Sequence, residues 1–170
     1  MRRKAIKKMK KPIKKKPIPG DIYAVPLNEG ETKFGYVRMY IEPNIAILPI
    51  ISIGGLIKVG DIINTDTHTD YLSFRTAIEK NEWPYIGNIP FNDADSAWPG
   101  PKKQVSKIRP DLRMVIHKGH LISEKEFGEY DSLPEFKKFN DSQLISQILV
   151  LESEFNTIAV ADHQSSNRGL

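Results

Sequence analysis

Two pairs of side chains in this sequence are spaced in a way that could serve metal binding or acid–base chemistry. His117 and His120 are three residues apart, and His68 and Asp70 are two apart. Histidine nitrogens and carboxylate oxygens are common zinc ligands, but a structural zinc site needs four of them. Gly119 favours a turn between the first two histidines, and the spacing implies no third ligand. We therefore expect no metal site and no cofactor.

The chain also lacks the residue patterns of the common catalytic sites. It has no cysteine, which excludes a thiol nucleophile, a zinc ribbon and a disulfide framework. No segment resembles a nucleophile elbow, a P-loop or a dinucleotide-binding glycine pattern. We expect a protein that has no catalytic residues and no small-molecule substrate, and that is not an enzyme.

The segment FNDADSAWPGP holds the other candidate functional residues, Asp93, Asp95 and Trp98. An exposed tryptophan is a common anchor of protein-binding surfaces, and loops tolerate the variation that partner specificity requires. These three residues are the predicted partner-binding site. A second interpretation stays open, in which Trp98 is buried and anchors the loop while the two aspartates cap turns.

The charge divides the chain into a basic arm and an acidic body. Residues 1–20 hold ten of the 25 lysines and arginines and none of the 21 acids, so the other 150 residues carry a net charge of −6. A block of like charges with few apolar side chains cannot form a packed core, so residues 1–16 are predicted to be a disordered arm. Such an arm could contact nucleic acid, or it could serve only solubility.

The sequence shows no membrane-spanning segment. Its most apolar stretch, IAILPIISIGGLI at 45–57, is 13 residues long and is interrupted by proline and glycine, whereas about 20 apolar residues are needed to cross a bilayer. No apolar stretch of signal-peptide type follows the basic start. We expect a cytoplasmic protein that does not contact the membrane.

Apolar runs separated by turn residues predict a sheet in the first half of the chain. The expected strands are 20–27, 33–41, 44–51, 56–66 and 70–82. Pro26 lies late in the first of these strands, and a proline without an N–H is tolerated mainly at a sheet edge or a bulge. The first strand is therefore predicted to be an edge strand.

The second half of the chain combines a long loop, a hairpin and helices. Residues 83–101 carry four prolines and two tryptophans, which predicts a packed loop. Residues 111–123 are predicted to form a hairpin that turns at HKG, followed by a helix start capped by Ser123. The strongest helical pattern is 141–155, where Asp141 is the expected N-cap. Its apolar stripe consists of Leu144, Ile145, Ile148, Leu149 and Leu151.

Strands followed by a helix indicate an α+β fold. We predict a twisted antiparallel sheet, or a small SH3-like barrel, packed by the C-terminal amphipathic helix. The predicted organisation is a basic arm at 1–16, one domain at 17–160 and a polar tail at 161–170.

Two blocks of the sequence resemble a known family. The block KPIPGDIYAVPLNEGETKFGYVRMYIE and the later block EWPYIGNIP are similar to the immunity protein 26 family of bacterial polymorphic toxin systems. The resemblance covers about residues 16–100. It implies a non-catalytic immunity protein that binds a cognate toxin and blocks it. A basic toxin such as a nuclease would complement the acidic body.

The sequence also leaves two other classes of function open. One is a nucleic-acid-binding module that uses the lysine-rich arm. The other is a small-barrel endoribonuclease, because GDIYAVPL also resembles the first strand of such enzymes. Such a site needs a basic residue and a hydroxyl near the strand ends, and Arg38 and Arg75 are the candidates for the basic residue.

Overall fold

The structure is a computed structural model that describes residues 16–41, 43–62, 65 and 70–160. Within these residues there are ten strands in two sheets and three short α-helices. The strands are β1 (Asp21–Pro26), β2 (Lys33–Met39), β3 (Asn44–Ile53), β4 (Asp70–Ser73), β5 (Tyr85–Asn88), β6 (Lys102–Gln104), β7 (Met114–His117), β8 (His120–Ser123), β9 (Lys138–Phe139) and β10 (Asn156–Ala159). The helices are α1 (Thr76–Glu79), α2 (Glu124–Phe127) and α3 (Asp141–Leu151). The interpretations of residues 1–15 and 161–170 concern parts of the chain outside the described residues.

The main sheet has seven strands and is mostly antiparallel. Its strand order is β5-β1-β2-β3-β4-β9, and β10 also pairs with β3, in parallel. The described strands do not close into a barrel, so of the two predicted architectures the open sheet is the one found. A second sheet of three strands has the order β6-β7-β8. The α+β class is confirmed, and α3 packs on the main sheet as expected.

The prediction that the first strand lies at an edge is wrong. β1 lies between β2 and β5, with pairs that include Tyr23 with Val37 on one side and Tyr23 with Tyr85 on the other. Pro26 is nevertheless tolerated, because β5 pairs only with residues 21–23 of β1. The missing N–H therefore lies beyond the end of the β1–β5 pairing, where no ladder hydrogen bond is required of it.

The proline within β3 is accommodated by an irregularity in the sheet. The register between β2 and β3 shifts between Gly35, which pairs with Ile51, and Tyr36, which pairs with Leu48. On the other side of β3, β4 pairs with residues 44–46 and β10 with residues 50–53. Pro49 falls in the gap between these two partners, where no N–H is required of it.

The main sheet is covered on both faces. A helix-side core packs α1, α3 and Trp83 against one face, and a loop-side core packs residues 57–62 against the other. The buried helix-side members are Tyr23, Val25, Val37, Met39, Ile45, Ile47, Ile51, Ala77, Ile78, Trp83, Leu144, Ile148 and Phe155. The buried loop-side members are Ile22, Ala24, Phe34, Tyr36, Leu48, Ile50, Ile57 and Ile62.

Residues 56–66 do not form the predicted fourth strand where the structure describes them. Residues 59–61 form a 3-10 turn instead, and Ile57 and Ile62 on either side of it are buried in the loop-side core. Packing against a sheet face buries these apolar side chains, just as their inclusion in a strand would. A short apolar run therefore does not distinguish the two outcomes.

Other elements also differ from the prediction: α3 ends at Leu151, and β5 lies within the predicted loop at 83–101. The segment 70–82 is a strand only as far as Ser73, and α1 follows it. The N-cap of α3 is Asn140, which forms a capping box with Gln143, while Asp141 is already helical and its Oδ2 accepts from the Ala77 N–H at 2.9 Å. After α3, the chain adds β10, which was not predicted because its pairing with β3 is wholly non-local.

The predicted hairpin at 111–123 is confirmed. His117 pairs with His120, and Lys118 and Gly119 between them both have positive φ, at 46° and 76°. Positive φ at both central residues is the geometry of the tight type I′ hairpin turn. Ser123 caps α2 as expected, accepting from the Glu126 N–H.

A buried chain of hydrogen bonds crosses the loop-side core. The Ile57 N–H donates to the Tyr36 hydroxyl at 3.1 Å, which lies 2.6 Å from the Ser52 hydroxyl. Ser52 Oγ donates to the Gly55 carbonyl at 2.7 Å, so the proton between the two hydroxyls comes from Tyr36. Burial raises the pKa of the Tyr36 phenol, which keeps it protonated as a donor.

Replacing Tyr36 with phenylalanine is expected to lower the free energy of unfolding by about 1–3 kcal/mol, because it leaves the buried Ile57 N–H without an acceptor. Urea denaturation measures the change. The control is Tyr130→Phe, since the Tyr130 hydroxyl lies at the surface, 3.5 Å from the Gln104 carbonyl. Its effect is expected within about 0.5 kcal/mol. Equal losses in the two variants would contradict the buried hydrogen-bond chain.

Candidate partner-binding site

The loop that carries the three predicted partner-binding residues is fixed to the main sheet at both ends. At its start, the Phe91 ring stacks on Tyr40, with centroids 5.1 Å apart, and the Arg38 guanidinium lies 3.8 Å from the Phe91 centroid. Further along, Ala97 is buried and its carbonyl accepts from the Ile41 N–H at 2.9 Å. The residues between these two anchors, 92–96, are exposed.

Arg38 has a structural position in this arrangement. It is only 6% exposed, and its Nη2 lies 2.5 Å from the Ile89 carbonyl and 3.3 Å from the Pro90 carbonyl. Burial lowers the pKa of its guanidinium, since the charged form loses hydration. Arg38 thus holds the start of the loop, while Arg75 lies at the N-terminus of α1 with Glu79 3.7 Å away.

The two aspartates have different environments. Asp93 accepts from both the N–H and the hydroxyl of Ser96, each at 2.7 Å, and these hydrogen bonds lower the pKa of its carboxyl. Asp95 begins the 3-10 turn at 95–97, and its Oδ1 lies 3.1 Å from the Lys118 Nζ at the turn of the β7–β8 hairpin. The Asp95 side chain is 82% exposed. Asp93 therefore caps a turn, whereas Asp95 links the loop to the second sheet.

Trp98 is half-buried and lies against the same hairpin. A Cβ added to Gly119 would be 3.3 Å from the indole ring, so the tip of the hairpin and the indole are in close contact. Trp83, by contrast, is buried in the helix-side core. The structure thus brings Asp95 and Trp98 together at the Lys118–Gly119 turn, while Asp93 is exposed on the same loop and does not take part in that contact.

A cleft of about 250 Å³ opens beside Trp98, between the loop, the second sheet and the start of β3. Its walls are largely apolar, and its polar side chains are Asn44, Lys102 and Lys118. The apolar lining consists of Pro43, Trp98, Pro99, Ile116 and Phe136. These residues come from four separate segments of the chain, so the cleft exists only in the folded protein.

Sequence reasoning missed most of this cleft. Ile116 and Lys102 face each other across the β6–β7 pair, and Phe136 joins them because its N–H donates to the Lys103 carbonyl at 2.8 Å. The only relevant signal in the sequence was the predicted hairpin, which places Lys118 at a turn. Nothing in the spacing indicates that this turn contacts a loop 20 residues earlier.

The histidine pairs do not form a site among the described residues. His117 lies with its ring 5.5 Å from that of Phe127, next to the exposed His120, and His68 falls outside the described residues. Within the part of the chain that the structure describes, no three histidine or acidic side chains are placed to hold a metal ion. None of the described helices is long and apolar enough to cross a membrane.

The two blocks that carry the family resemblance lie side by side in the main sheet. β1 belongs to the first block and β5 to the second, and Asp21 pairs with Asn88 at the end of their ladder. The buried Asp21 carboxylate accepts from the Asn88 side-chain amide and from the Ile18 N–H, both at 2.9 Å. The two blocks therefore form one structural unit, and these shared residues stabilise the sheet.

Comparison of the chain with protein-family models, with curated proteins and with solved structures finds no match.

Proposed function

We propose that this protein binds a cognate bacterial toxin and neutralises it by covering the toxin's active surface. The observation that carries the proposal is the exposed 92–96 loop, in which Asp93 and Asp95 precede the half-buried Trp98, a residue that lines an open apolar cleft. The resemblance of residues 16–100 to immunity proteins supports the choice of a toxin as the partner.

The arrangement has the anatomy of a protein–protein interface. Binding energy in such interfaces concentrates on a few aromatic or apolar anchors that fill pockets, with charged groups around them. Here Trp98 and the apolar cleft supply the centre, and Asp93 and Asp95 supply an acidic rim. The hydrogen bonds of Asp93 to Ser96 and the stacking of Phe91 hold the loop in shape before binding, which lowers the entropy lost on association.

The charge of the body indicates the class of partner. The chain after residue 20 carries a net charge of −6. A negative protein is attracted to a positive one at long range, which raises the association rate and makes it sensitive to salt. A toxin that acts on nucleic acid carries a basic surface, and an acidic inhibitor can occupy that surface in place of the phosphates.

The charge of the arm favours a second candidate function, contact with nucleic acid. The ten basic residues within 1–20 are unopposed by any acid in that stretch. Such a segment binds phosphates without sequence preference, with an affinity that falls steeply as salt rises. The two functions depend on different parts of the chain, so one set of variants separates them.

We expect the Asp93→Asn, Asp95→Lys double variant to associate with the toxin about tenfold or more slowly at low salt, because it removes the acidic rim. Asparagine at 93 keeps an acceptor for Ser96 and so preserves the turn. Stopped-flow mixing with a toxin domain encoded beside this chain measures the rate. Co-expression of the same pair measures protection.

The matched control is the Glu29→Gln, Glu154→Lys double variant, which changes the net charge equally at two other exposed positions. It is expected to slow association only slightly, and deletion of residues 1–16 is expected to leave protection intact. If both double variants slowed association equally, the net charge of the protein would explain the effect and the acidic rim would not. Loss of protection on deleting the arm, with the acidic rim intact, would transfer the function to the nucleic-acid candidate.

A further inference from the structure

The cleft beside Trp98 has the size and chemistry of a small-molecule site, independently of any protein partner. We propose that it binds one small aromatic carboxylate, with the ring inside the cleft and the carboxylate at its rim. This ligand site goes beyond the proposed toxin binding and does not depend on it.

The volume and walls of the cleft suit a single ring. Pockets for drug-sized ligands measure about 300–1,000 Å³, and this cleft, at about 250 Å³, is slightly smaller. The Trp98 and Phe136 rings and the Ile116 side chain line it. Aromatic rings pack against one another in stacked or edge-on arrangements that add to the effect of burial alone, so an aromatic ligand is favoured over an aliphatic one of equal size.

The charges around the cleft favour an anion. Among the described residues that line it, the ionisable ones are Lys102 and Lys118, and none is acidic. Lys102 is 8% exposed, with Nζ 3.5 Å from the Gly100 carbonyl, so its ammonium lies within the wall.

Lys118 can exchange its partner at little cost. It lies at the rim, and its ion pair with Asp95 joins side chains that are 40% and 82% exposed. Exposed ion pairs contribute little to stability because water and salt screen them. A ligand carboxylate that is held in place by its buried ring can therefore replace Asp95 as the partner of Lys118.

The test uses the full-length protein labelled with ¹⁵N and follows the indole N–H signals of its two tryptophans. Phenylacetate is the probe, and phenylacetamide is the neutral control of the same shape. We expect phenylacetate to shift the Trp98 signal with a dissociation constant on the order of 0.1–1 mM. The signal of the buried Trp83 serves as the internal reference, and the Trp98→Phe variant assigns the two.

Phenylacetamide is expected to bind about threefold to tenfold more weakly, and Lys118→Gln is expected to abolish that difference. Lys125→Gln, a change of the same kind on the exposed surface of α2, should leave it unchanged. Equal binding of the acid and the amide to the unaltered protein would overturn the assignment of a carboxylate.

Filling the cleft tests its location. Ile116→Phe is expected to weaken phenylacetate binding at least about fivefold, because it occupies the space of the ligand ring. Leu121→Phe is the control, since Leu121 is the direct cross-strand partner of Ile116, is 57% exposed and does not line the cleft. Equal binding by both variants, or no saturable shift of Trp98 with phenylacetate, would overturn the proposal.

Discussion

Replacing Gly20 with alanine is expected to lower the free energy of unfolding by about 2–4 kcal/mol, more than a typical substitution. Gly20 has a φ of +93°, which is strained for any residue with a side chain. An added Cβ would also lie 2.5 Å from the Ile89 carbonyl oxygen, an atom of the backbone that cannot rotate away.

The surrounding hydrogen bonds prevent Gly20 from moving. Its N–H donates to the Met39 carbonyl at 2.8 Å, and its own carbonyl accepts from the Ile89 N–H at 3.0 Å. Relief of the clash would therefore break the connection of β1 to β2 or to the end of β5. Gly60 is the matched control, because it is exposed and no heavy atom lies within 4 Å of its added Cβ.

Urea denaturation of Gly20→Ala and Gly60→Ala measures the difference, and the melting temperature should fall by roughly 5–15 °C in the first variant alone. If both variants unfolded at the same urea concentration, the left-handed turn before β1 would not be a structural requirement.

Replacing Ile148 with alanine is expected to lower the free energy of unfolding by about 2–5 kcal/mol, the range for truncating a large buried aliphatic side chain. Ile148 is fully buried and packs against Gly35 of β2: a Cβ at Gly35 would be 2.8 Å from its Cγ2. The glycine leaves room for the isoleucine, so removing the isoleucine leaves a cavity between helix and sheet.

Val150→Ala is the control on the same helix, because Val150 is 72% exposed. Its effect is expected within about 0.5 kcal/mol. Calorimetry or urea denaturation distinguishes the two, and a small loss in both would mean that α3 does not hold the helix-side face of the sheet. Both variants leave the exposed 92–96 loop untouched, so they separate loss of the fold from loss of the proposed toxin binding.

The sequence by itself determined the elements whose signals are local. The apolar runs at 20–27 and 33–41 predicted the strands β1 and β2, and HKG predicted the β7–β8 turn, because hairpin register follows from turn geometry. The apolar stripe containing Leu144 and Ile148 specified the buried face of α3. With the order of strands and helix, these signals were enough for the α+β class.

Only the tertiary structure decided which strands are central and where a binding site can form. β1 is an interior strand because β5, some 60 residues later, pairs with it. β10 could not be predicted from its own residues, because it is a strand only through its pairing with β3. The loop with Asp95 and Trp98 was identifiable from its residue types, but its cleft was not. That cleft needs Ile116, Lys118 and Phe136 brought to Trp98 by contacts between distant segments, and no local periodicity or spacing encodes such contacts.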